Sequence, residues 1–76
     1  MSEIQKILFN SIFEKYGNIL LTKSQMSEVC NLSTKTLDRK REKGEGCEWR
    51  CEGGKIYYPL QKVVVYLDKF NLTHNH

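Results

Sequence analysis

Apolar residues recur at three- and four-residue steps over residues 3–16, as Ile4, Ile7, Leu8, Phe9, Ile12, Phe13 and Tyr16, while Lys6, Glu14 and Lys15 stay off that stripe. The spacing predicts an amphipathic helix. Ser2 and Gln5 have the spacing of a capping box, and Gly17 sits where a helix C-cap belongs. The stripe is wide for a chain of this size and has two readings: core packing, or a surface that meets a second copy.

Ile19, Leu20 and Leu21 form a short extended apolar segment. Thr22 then opens a second helix over residues 23–30, again with Gln three residues on, and Met26 and Val29 give it a buried side. Alone, eight residues are too few for a stable helix. Asn31 tolerates the left-handed conformation where that helix must stop, Leu32 plugs the corner, and Ser33 caps a third helix over residues 34–43. Two short helices joined by such a turn make a helix-turn-helix pattern. In the third helix Leu37 is the only large apolar residue, so it buries little and presents much.

After Gly44-Glu45-Gly46, the alternation of residues 47–52 predicts a strand with Cys47, Trp49 and Cys51 on one face. Gly53-Gly54 suits a two-residue turn, and residues 55–58 return as a second strand. Such a hairpin is either a wing, with Lys55 at its tip and Arg50 on its outer face, or a cover that packs Trp49, Ile56 and Tyr58 on the core. Pro59 is expected to start the last helix, over residues 59–70, with Leu60, Val63, Val64, Leu67 and Phe70 on its buried side, and residues 71–76 to form a frayed, flexible tail. The expected fold is mainly α with a small β-hairpin, one domain over residues 1–76 in the order helix, short strand, helix, turn, helix, hairpin, helix.

At 76 residues, 39% hydrophobic and 28% charged, the composition is that of one small globular domain. The longest apolar run, residues 63–67, is far short of the ~20 residues of a membrane span. No basic start with an apolar stretch behind it marks a secretory signal, so the expectation is a cytoplasmic protein. The net charge is +3, and its distribution is informative. Residues 1–32 balance, whereas residues 33–44 hold Lys35, Arg39, Lys40, Arg41 and Lys43 against Asp38 and Glu42. A local basic cluster faces phosphates or is simply a solvated helix face.

Cys30, Cys47 and Cys51 are odd in number and fit reduced thiols. If residues 47–51 are a strand, Cys47 and Cys51 lie ~13 Å apart, too far to share a metal or a disulfide. No paired carboxylates in an apolar setting, nucleophilic triad or phosphate loop appears, and the histidines lie at the end of the chain. No catalytic residue, cofactor, metal, membrane or small-molecule substrate is therefore expected.

Residues 20–39, LLTKSQMSEVCNLSTKTLDR, resemble the excisionase-type helix-turn-helix family, a relative of the MerR-like winged helices. Thr22, Met26, Ser27, Val29, Cys30, Leu32, Ser33, Thr36 and Leu37 fill the family's places, and residues 53–59, GGKIYYP, resemble its wing turn and returning strand. The chain departs from the pattern at Asn31, where glycine is usual. It departs again at Lys40 and Arg41, where apolar residues are usual, so either the helix ends early or their alkyl stems pack.

The resemblance implies a winged helix-turn-helix protein of a phage or mobile element that binds double-stranded DNA. Its role would be an excisionase-like recombination directionality factor, with an integrase or a second copy as partner, or a small transcriptional regulator. The alternative is a protein-interaction module of the same fold that docks through its N-terminal helix. By the docking logic of such proteins, Thr34, Lys35, Asp38 and Arg39 are the base-contacting candidates, with Asp38 accepting from a cytosine or holding Arg39. Thr22, Lys23 and Ser24, at a helix start, and Lys40, Arg41 and Lys43 are the phosphate candidates. Arg50 and Lys55 are those of the wing.

Overall fold

Ser2, Thr22 and Ser33 each stand in extended backbone, with a hydroxyl accepting from the amide three residues on, and each opens a helix. A computed structural model describes the backbone of residues 1–74 and the side chains of residues 1–69. Among these it contains four helices and a three-stranded antiparallel sheet. In chain order they are α1 (Glu3–Tyr16), β1 (Leu20–Thr22), α2 (Lys23–Cys30), α3 (Thr34–Glu42), β2 (Arg50–Glu52), β3 (Lys55–Pro59) and α4 (Leu60–His74).

The helix ends follow from single residues. Gly17 is left-handed at the end of α1, and its amide donates to the Phe13 carbonyl. At the start of α2, Thr22 and Gln25 form a full capping box, each side chain accepting from the other's amide at 3.1 and 3.0 Å. Asn31, at φ 57°, closes α2 and is the only non-glycine residue with positive φ among the described residues. The Ser27 hydroxyl donates to the Leu32 carbonyl and ties the corner to α2. Gln5 is only half of a capping box: its amide donates to Ser2, but its side chain donates to Asp68 Oδ2 at 2.9 Å and joins α1 to α4.

The sheet order is β1-β3-β2, so β3 is central. Leu21 and Tyr58 are paired in register and face inward; Leu21 is 0% and Tyr58 2% exposed. Met26, Leu60, Val63 and Val64 complete the innermost layer, with Ile12, Leu37 and Cys47 around them. Burying a leucine or valine here contributes about 1.5–3 kcal/mol. The α1 stripe is divided. Leu8, Phe9, Ile12 and Tyr16 pack on the core, while Ile4, Ile7 and Phe13 stay exposed.

Four expectations are corrected. Residues 47–49 are not strand, and the single face of Cys47, Trp49 and Cys51 does not form: Cys47 is buried, while Trp49 and Cys51 are exposed. The β2–β3 register explains why. Carried upstream, it would set Glu48 against Pro59, which has no N–H, and Cys47 against Leu60, whose N–H already donates to the Ile19 carbonyl at 2.7 Å. Trp49 therefore does not cover the core. Pro59 ends β3, opposite Leu20, rather than beginning the helix. Finally, α4 continues through residues 71–74, placed above in a tail; residues 75–76 and the side chain of Phe70 lie outside the described residues. No helix among the described residues is long and apolar enough to cross a membrane.

The Asn31 turn yields a test. Alanine in the left-handed region costs about 1–2 kcal/mol, whereas glycine carries no such strain. Urea unfolding followed by circular dichroism should show Asn31→Ala destabilised by about that amount and Asn31→Gly as stable as the wild type or more so.

Candidate nucleic-acid interface

Only Leu37 of α3 is buried. At about 100° per residue, Lys35, Arg39 and Lys43 fall on the side away from it. All three are exposed, as is Thr34 in the first turn. None of the three cations has an ion-pair partner among the described residues.

Asp38 does not hold Arg39. Its Oδ1 receives Lys23 Nζ at 2.9 Å and Arg41 Nη1 at 2.8 Å, so it joins the start of α2 to the far end of α3. Geometry dictates the choice: Arg41 is one helical turn on, whereas Arg39 projects around the other side. The bonds from Lys23 and Arg41 hold the Asp38 carboxyl below its usual pKa. The same bond from Asp38 raises Arg41. Arg41 is only 18% exposed, its guanidinium 5.6 Å from the centre of the Trp49 ring. Burial raises the neighbouring Tyr58, against the opposing effect of Arg41. Lys40 is half-buried, its stem against Gly46. Thus α3 does not end early at Lys40 and Arg41; their stems pack.

The hairpin turn rests on Gly53 and Gly54, both at positive φ. Arg50 and Lys55 are exposed beside it, and neither has an ion-pair partner among the described residues. Register sets Thr22, Tyr57 and Arg50 side by side across the three strands. Directly paired residues project to one face, here the face away from Leu21 and Tyr58. Beside this row an open cleft of about 390 Å³ runs between residues 22–24 and residues 54–57. The start of α2 and the hairpin tip, read separately from sequence, therefore meet. Within the cleft wall, the Thr22 hydroxyl caps α2, Lys23 pairs with Asp38 and Ser24 is exposed. The cleft thus sets Lys55 of the hairpin across from Lys23, which itself pairs with Asp38 of α3.

Two residues of this surface were not legible as such. Tyr57 is placed by its pairing with β1, a long-range contact, and Trp49 is placed under Arg41 by the loop that replaces the expected strand. Burial pushes the Cys47 thiol up to about 12 and Cys30 to about 11, so both are protonated, poor ligands. Among the described residues no three His, Cys, Asp or Glu side chains gather as a metal-binding group. No family model, curated protein or solved structure matches the chain.

The Asp38 clamp gives a pH signature. Its folded pKa lies below the ordinary 3.8, so its contribution is full above that value and is lost as pH falls through the folded one. Urea midpoints should show Asp38→Asn less stable than wild type at neutral pH. The difference should close as pH drops below 3.8, and a gap that persisted in acid would show that Asp38 acts otherwise.

Proposed function

We propose that this chain binds double-stranded DNA sequence-specifically as a winged helix-turn-helix, with α3 in the major groove and the β2–β3 hairpin as the wing. The observation that carries this is the set of exposed cations without ion-pair partners among the described residues: Lys35 and Arg39 on α3, Lys43 at its C-cap, and Arg50 and Lys55 on the hairpin. A helix held by one leucine leaves its outer face free for bases and phosphates.

Roles divide accordingly. Lys35 and Arg39 read base edges, with Thr34 beside them. Ser24, Lys43, Arg50 and Lys55 meet phosphates. Lys23, Asp38, Lys40 and Arg41 hold the frame, the cations adding to the positive field. No catalytic step and no cofactor is involved. The sequence resemblance favours a recombination directionality factor acting with an integrase, or a small transcriptional regulator, in a phage or mobile element; both roles use this one surface.

One observation favours a protein-docking alternative: α1 exposes Ile4 at 49%, Ile7 at 61% and Phe13 at 42%. Apolar docking would be insensitive to salt, whereas DNA binding weakens steeply with it.

A mobility shift comparing DNA from around the protein's own gene with scrambled DNA at one salt concentration tests the proposal. The native sequence should bind tighter, and Arg39→Ala should lose about 1–3 kcal/mol and relax the preference. Equal, weak binding of both DNAs by wild type would reject sequence-specific recognition.

A further inference from the structure

We infer that Tyr57 contacts the phosphodiester backbone of one DNA strand lying in the cleft between the start of α2 and the hairpin. This rests on the DNA-binding proposal and adds an uncharged contact to it. Tyr57 and Tyr58 are neighbours with opposite fates. Tyr58 enters the core, and Tyr57, half-buried, lies on the outer face of the central strand between Thr22 and Arg50. A tyrosine so placed has an apolar body held by the sheet and a polar tip turned to solvent. Its hydroxyl has no hydrogen-bond partner among the described residues.

The surroundings select the ligand. Lys55 and Arg50, neither with an ion-pair partner among the described residues, flank Tyr57, and Lys23, paired with Asp38, stands on the opposite wall of the cleft. Cations brought together around one cleft favour an anion between them. The cleft is open and has a volume of about 390 Å³, room for a sugar-phosphate segment of one strand. The Tyr57 hydroxyl donates to a phosphate oxygen, and its ring lies against the deoxyribose. Such a contact positions the protein on DNA and carries no sequence information.

Because tyrosine is neutral, its loss should weaken binding without changing counterion release. Binding of a random-sequence duplex, measured by fluorescence anisotropy across a salt series, separates the cases. Tyr57→Phe keeps the ring and should bind about tenfold more weakly with an unchanged salt slope. Lys55→Ala should lower the slope by about 1. Wild-type affinity in Tyr57→Phe, or a slope altered along with affinity, would overturn the contact while leaving DNA binding intact. A wild type that binds no duplex would overturn both. Tetranitromethane nitration of the wild type gives a readout independent of any variant's folding: bound duplex should protect Tyr57, and nitration unaffected by DNA would overturn the inference.

Discussion

The structure depends on holding in place a helix that can contribute almost nothing to the core. Leu37 is the sole buried residue of α3, and nine residues with one apolar anchor do not persist as a helix in water. Three supports make up the deficit. Ser33 caps its start, Asp38 receives Lys23 from α2, and Arg41 lies over Trp49 beside Tyr58. All three act at the ends or flanks, which leaves the outer face without a packing duty. Lys35 and Arg39 occupy that face because nothing in the fold requires it to be apolar.

The central strand makes the second connection. By pairing with both β1 and β2, β3 turns Tyr58 into the core and Tyr57 outward, and it brings the hairpin tip to the start of α2. Lys23 then belongs to two arrangements, lining the cleft while pairing with the carboxylate of α3. One small sheet thus aligns a hairpin, a helix start and a basic helix that lie far apart in the chain.

What was legible in sequence was local. Ser2, Thr22 with Gln25, Asn31 and Ser33 each determine a helix end through contacts within five residues, so α1, α2 and α3 fall within about a residue of their expected bounds. The Gly53-Gly54 turn is equally local. Residues 47–49 depart from the expected strand because alternation satisfies the strand period, while the limit on pairing comes from Pro59 and Leu60 across the sheet. Asp38 illustrates the same limit at the candidate site: its partner Lys23 lies fifteen positions upstream, and only tertiary structure brings the two to 2.9 Å.

The proposed function is electrostatic: the exposed cations of α3 and the hairpin, which have no ion-pair partner among the described residues, are proposed to form one DNA-binding surface. The most direct measurement is the dependence of duplex affinity on salt. Each neutralised phosphate contributes about −0.9 to the slope of log K against log salt, so the three phosphate-facing cations, Lys43, Arg50 and Lys55, set a slope of about −3, which Lys35 and Arg39 in the groove extend to about −5 at most. A steep linear fall in that range is the predicted result. Affinity that stays flat as salt rises would contradict the account.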